Sequence, residues 1–223
     1  MAFAEAATHG IINIYDLKPN KDKGSFSGPA LKKKTLATTS ISNSTPYKYV
    51  ALSFKRSQED KILAALTDQN NIIIWEWDKG RATEITDTNK KGLDKVNLMF
   101  FYPPDDCLVL LGKNSQNNHV MKVFNIKLEK QEVIVTQRND AKKETSNMMD
   151  YTMNSYAFIE DPTTNQTTVI FGASSPNNPA KLFLLNKNFE LRGLLEGPPG
   201  VIANDFIINC IHPSQGSGRG FFI

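Results

Sequence analysis

The chain alternates short apolar runs with polar turns, and the alternation recurs as a unit. In the clearest copy, Lys61-Ile62-Leu63-Ala64-Ala65-Leu66-Thr67 is followed by Asp68-Gln69-Asn70 and then by Asn71-Ile72-Ile73-Ile74-Trp75-Glu76-Trp77-Asp78. An earlier copy runs Met1-Ala2-Phe3-Ala4-Glu5-Ala6, His9-Gly10 and Ile11-Ile12-Asn13-Ile14-Tyr15-Asp16-Leu17. Later copies end at Phe124-Asn125-Ile126 and at Leu184-Leu185-Asn186. No long run places apolar residues at helical spacing, and turn-forming residues punctuate the apolar segments, so the pattern predicts an all-β chain.

The pattern divides residues 1–223 into blade-sized pieces at about 1–38, 48–87, 95–137, 150–194 and 206–223. The second piece predicts strands near 48–54, 61–67, 71–77 and 81–87, with tight turns at Asp68-Gln69-Asn70-Asn71 and Asp78-Lys79-Gly80. The third predicts strands near 95–101, 107–112, 119–127 and 131–137, the first of them ended by Pro103, which cannot donate a ladder hydrogen bond. The fourth predicts strands near 150–159, 167–173, 180–186 and 189–194. The first piece is partial, with strands near 1–6, 10–17 and 32–38, and the fifth begins near 206–212. Polar insertions cover about 18–30 and 138–148, and Ser40 to Pro46 is a Ser/Thr/Asn loop.

Tyr15 and Trp75 are 60 residues apart, Trp75 and Phe124 are 49, and Phe124 and Leu185 are 61. A propeller blade of the WD type takes about 40–45 residues, and the two longer spacings contain the two polar insertions. Ile72-Ile73-Ile74 is apolar on both faces of its strand, as in a sheet buried between two neighbours. The architecture predicted is an incomplete WD40-type β-propeller, with about three full four-stranded blades and two partial ones. A β-sandwich or β-barrel is the alternative, but neither predicts strand triplets with a recurring aromatic. Such a set of blades would not close a ring. The expectation is therefore a fragment, or a piece whose ring another chain completes, because an open end would expose an apolar blade face.

Composition sharpens this picture only a little. The hydrophobic fraction of 40% and charged fraction of 22% are those of an ordinary globular chain, and the net charge is only +3. Lys32-Lys33-Lys34 and Lys142-Lys143 read as solvated loop charges, or as a patch for an acidic partner. Cys107 and Cys210 both fall in apolar runs, which predicts buried free thiols and a reducing compartment. No apolar run approaches the ~18 residues of a membrane span, and the N-terminus lacks the features of a signal peptide.

The residues that end the third strands resemble the degenerate WD-repeat family, in which that strand ends Trp-Asp. The matching pairs are Tyr15-Asp16, Trp75-Glu76, Phe124-Asn125 and Leu185-Asn186. First-strand endings of that family are echoed at Ser53-Phe54, Phe101-Tyr102-Pro103, Phe158-Ile159-Glu160-Asp161-Pro162 and Ile211-His212-Pro213. The family's Gly-His dipeptide is absent, so its hydrogen-bonded tetrad does not carry over. Within the family, the succession Gly10–Leu17, Ile72–Lys79 and Ala180–Leu185 is similar to the first propeller of the cilia- and flagella-associated WD-repeat proteins. The doubled tryptophan, Trp75 and Trp77, is the most specific part of this likeness. The resemblance implies a non-enzymatic scaffold of the ciliary or flagellar axoneme, carried on doublet microtubules and helping to position inner dynein arms and regulatory complexes. Its implied partners are axonemal proteins, with no cofactor, nucleic acid or membrane. The sequence departs from such proteins in having no heptad run for a coiled coil. The alternative is a protein-interaction module of another cytoplasmic assembly, such as an RNA-processing or trafficking complex.

No chemistry competes strongly with that reading. His9, His119 and His212 belong to no metal-ligand motif, and turn or strand-edge roles account for them. Gly216-Ser217-Gly218-Arg219-Gly220 lacks the following helix that a phosphate loop requires. Glu196-Gly197-Pro198-Pro199-Gly200 reads as a stiff inter-blade loop. Asp105-Asp106 and Glu59-Asp60 are adjacent carboxylates on turns of different blades, not a pair sharing a cleft. No nucleophile has a matching base, and the low net charge argues against phosphate-backbone binding.

Overall fold

A computed structural model describes residues 2–4, 10–16, 31–37, 48–56, 61–85, 92–103, 106–129, 132–138, 151–161, 166–175, 181–185, 191–196, 212–213 and 221–222. All regular structure among them is β. Seventeen strands form three four-stranded antiparallel sheets, one of three strands and one of two. The first sheet holds β1 (Ala2–Ala4), β2 (Ile11–Asp16) and β3 (Leu31–Ala37). The second holds β4 (Tyr49–Phe54), β5 (Ile62–Thr67), β6 (Ile72–Glu76) and β7 (Arg81–Ile85). The third holds β8 (Lys95–Tyr102), β9 (Cys107–Lys113), β10 (His119–Glu129) and β11 (Glu132–Gln137). The fourth holds β12 (Thr152–Asp161), β13 (Gln166–Ser174), β14 (Lys181–Leu185) and β15 (Leu191–Glu196). β16 (His212–Pro213) pairs with β17 (Phe221–Phe222). In every sheet the strand order follows the chain, so each is an up-and-down meander.

These strands lie within a few residues of those the sequence pattern predicts. The expected strand near 206–212 falls outside the described residues except at its end, and so do Lys142-Lys143, His9 and Cys210. Two expectations change. Lys34 is not a loop charge: it lies in β3, and its Nζ donates to the Asp78 carbonyl at 3.1 Å. β6 ends at Glu76, so Trp77 belongs to the following turn and not to the strand.

By compactness the chain divides into two units, residues 1–89 with 126–135, and residues 90–125 with 136–223. In the first unit β1 runs beside β4; in the second, β8 runs beside β12, and β12 beside β16. Within each unit, then, the sheets approach one another through their first strands. The first unit's core joins Ile12, Ile14 and Leu36 of one sheet to Leu63, Ala65, Ile73 and Trp75 of the next. The second unit's core joins Phe100, Val109 and Val123 to Val169, Phe171 and Phe183. Phe100 stacks on Tyr156 with ring centroids 4.7 Å apart, and the Tyr102 hydroxyl donates to the Thr167 carbonyl at 3.1 Å. Cys107 is buried in this core. Each large apolar side chain so buried stabilises the fold by roughly 1.5–3 kcal/mol.

The repeat is visible in irregularities as well as in strands. The first strand of each four-stranded sheet carries a bulge near its start: Val50, Asn97 and Asn154 are the extra residues. The turn from second to third strand is also repeated. Thr67 Oγ1 accepts from the Asn71 amide at 3.0 Å, and Asn114 Oδ1 from the Asn118 amide at 2.9 Å. An asparagine with positive φ sits in each turn, Asn70 at 66° and Asn117 at 63°, because Asn tolerates the left-handed region. Val50 and Asn97 are 47 residues apart, as are Asn70 and Asn117. The Val50 side chain, at the first of these bulges, is 56% exposed.

Opposite the bulge at Asn97 lies Gly112, where a β-carbon would fall 1.8 Å from the Lys95 carbonyl oxygen. Backbone must move to admit one. Gly112→Ala should therefore lower stability by about 1–3 kcal/mol, the usual cost of overpacking, measured as a fall in the denaturation midpoint. An unchanged midpoint would show that the close approach is not a constraint.

Candidate functional site

The residues that end the third strands are brought into comparable, but not identical, positions. Trp75 lies at the penultimate position of β6, paired with Leu63 and Ala82, and is fully buried. Leu185 closes β14, paired with Val169 and Leu191, and is also fully buried. Each packs toward the sheet that precedes its own in the same unit. Phe124, paired with Leu108, is buried too, but lies on the face of its sheet opposite Val123 and the second unit's core. It sits two residues farther from its hairpin turn than Trp75 does, which keeps the face and changes the level. Tyr15 is half-buried near the end of β2, beside a bulge at Lys33, and Asn125 is half-buried in β10. Asp16 pairs with Leu31 in the backbone register, and Asn186 lies outside the described residues.

At Trp75-Glu76-Trp77 the local geometry is most elaborate. The Trp75 indole N–H is buried and has no hydrogen-bond partner among the described residues, so no tetrad of the WD type forms around it there. Glu76 is the most deeply buried charged residue described, with 1% of its surface exposed. Its carboxylate is held by Arg81, whose Nε donates to Oε2 at 3.0 Å and whose second guanidinium nitrogen also donates, and by an ion pair with Lys79. All three residues belong to the β6–β7 hairpin. Its turn, Trp77 to Gly80, is closed by the Gly80 amide donating to the Glu76 carbonyl at 2.9 Å, with Gly80 at a φ of 72°. Trp77 lies edge-on to Phe54 at 6.3 Å, and the Lys61 ammonium stands 5.8 Å from its ring centroid. Lys61 also pairs with Asp78 at 3.7 Å.

Burial alone would raise the Glu76 pKa, but Lys79 and Arg81 outweigh it and hold the carboxyl below its ordinary value of 4.5. At neutral pH the group is an ionised counterion that locks its own turn. Among the described residues no three His, Cys, Asp or Glu side chains come together to hold a metal ion. His119 opens β10 and is buried, and His212 lies in β16. Asp106, at a φ of 51°, belongs to the turn between β8 and β9, not to a cleft. Sequence reasoning did not find the Glu76 clamp. The spacing Glu-x-x-Lys-x-Arg across a Gly-containing turn was its visible signal.

No protein-family model matches the chain, and no curated protein matches it.

The pH dependence of the clamp has a definite sign. Because the folded state holds Glu76 below its unfolded pKa, the stability it contributes is present above pH 4.5 and is lost as pH falls through the lower folded value. Glu76→Gln, which keeps the shape and removes the charge, should cost about 1.5–3 kcal/mol at neutral pH and flatten the acid limb of the stability profile. Chemical denaturation from pH 7 down to pH 3 checks both; an unchanged acid limb would contradict the assignment.

Proposed function

We propose that this chain is a β-propeller protein of the WD-repeat type, resembling the ciliary WD-repeat proteins and, among them, the first propeller of cilia- and flagella-associated protein 57. In this reading it is a non-enzymatic scaffold of the axoneme, seated on doublet microtubules and helping to position inner dynein arms and their regulatory complexes. The observation that carries the propeller part is the succession of antiparallel meanders that meet through their first strands. A radial array of blades requires that arrangement, with first strands toward the centre, whereas a sandwich lays one sheet face across another. The bulge and turn that recur at 47 residues match one blade length of about 40–45 residues plus a short insertion. Trp75-Glu76 supports the WD type, with the tryptophan buried between sheets and the acid at the strand end. The ciliary part is supported by the doubled tryptophan and by the order of the third-strand patterns.

A scaffold needs surfaces, not a cleft. The turns that join third to fourth strands and the polar segments at 18–30 and 138–148 supply them in this reading. The test is extraction of isolated axonemes, first with non-ionic detergent and then with high salt. The protein should remain with the doublet microtubules through both steps. Complete recovery in the detergent-soluble fraction, or its absence from axonemes, would overturn the ciliary assignment and leave the fold reading intact.

A further inference from the structure

Within the second unit, a half-open cavity of about 310 Å³ lies where the start of β8, the end of β9 and the start of β12 meet. Its charge is one-sided. Lys95 and Lys113 both line it, and they are direct cross-strand partners in the β8–β9 ladder. Like charges directly opposite one another destabilise a sheet. Neither ammonium makes an ion pair with another described residue, and no carboxylate lines the cavity. Asp94 is the adjacent acid in sequence, but its side chain is not part of the wall.

The rest of the wall is built to donate hydrogen bonds. Asn114 spends its amide oxygen on the backbone N–H groups of Gln116 and Asn118, at 3.0 and 2.9 Å, which leaves its NH₂ as the free polar group. Asn97 is placed there by the bulge that Gly112 permits, and bulges commonly re-aim a side chain at a site. Ser115 and Thr152 add hydroxyls.

These groups select among anions. Two ammonium charges match the −1.5 to −2 charge of a phosphate monoester at about neutral pH. The number of donors exceeds what one carboxylate accepts and suits three terminal phosphate oxygens. No aromatic ring lines the cavity for a base to stack on, which disfavours nucleotides. The opening is wide, with Lys95, Ser115 and Asn117 exposed, whereas a small free ligand is normally about 70–90% enclosed. We propose that this cavity binds a phosphate monoester carried on an extended peptide, a phosphoserine or phosphothreonine of a partner chain. The inference stands apart from the ciliary assignment, since it uses only the geometry of two adjoining sheets.

Fluorescence anisotropy on the full chain tests it, with a labelled pool of phosphoserine peptides of randomised flanks, the same pool unphosphorylated, and a pool with Glu in place of phosphoserine. The phosphorylated pool should bind at least about tenfold more tightly than either other pool, and Lys95→Gln or Lys113→Gln should each weaken it about tenfold. Lys127→Gln, at an exposed lysine of β10 that does not line the cavity, should leave binding unchanged. Thermal denaturation of each variant separates lost binding from lost folding, and Asn114→Asp, which puts a carboxylate in the wall, should also abolish binding. Equal binding of the three pools, or equal loss with Lys127→Gln, would overturn the proposal. So would inorganic phosphate that competes as tightly as the phosphopeptides, because it would show a small-anion site with no part for the peptide.

Discussion

The fold depends on one constraint: its inner strands are apolar on both faces and cannot be left uncovered. Ile72, Ile73, Ile74 and Trp75 of β6 are all fully buried, as are Ile62 through Ala65 of β5. A strand that alternates can rest one face on a core and the other in water; these cannot. Each such sheet therefore needs a neighbour on either side. Within each unit, sheets that follow one another in the chain cover one another, because consecutive elements pack beside one another most easily. One edge strand, β11, shows the complementary pattern. β11 has no fully buried residue, and its side chains alternate between exposed and half-buried.

A second constraint is electrostatic. An ionised carboxylate is tolerated at the edge of an apolar core only with partners at close range. Glu76 meets that condition from within its own hairpin, since the turn that follows it delivers Lys79 and Arg81 to both oxygens. The clamp is local, so it needs no distant residue to form correctly. It stands beside a tryptophan whose indole N–H is unsatisfied among the described residues, where the polar tetrad of a standard WD repeat would engage it. The sheet thus anchors the acid at its strand end through one basic residue of the following turn and one of the next strand.

The strand pattern was legible in the sequence because period-two patterning and turn chemistry are local. Asn70 in its left-handed turn and Pro103 at the end of β8 both act where they stand. The site features were less legible. The bulges at Val50, Asn97 and Asn154 leave no periodic trace, since one extra residue is invisible until two strands are aligned. The offset of Phe124 relative to Trp75 was hidden for the same reason: spacing along the chain does not record distance from a turn. Lys34 looked like part of a solvated basic run until the structure placed its ammonium on the Asp78 carbonyl.

What the sequence by itself determined is the all-β character, the order and approximate bounds of the strands, and the burial of their apolar ends. These follow from side-chain alternation and from residues that stop a strand locally. Tertiary structure alone decided which residues share a site. Lys95 and Lys113 are eighteen positions apart and unremarked in the sequence, yet strand register sets them directly opposite one another. The donor groups around them come from a bulge, a hairpin turn and a neighbouring sheet. The physical reason is that alternation fixes the face on which a residue falls, whereas register and sheet packing fix what it meets there, and those are settled by contacts between segments far apart along the chain.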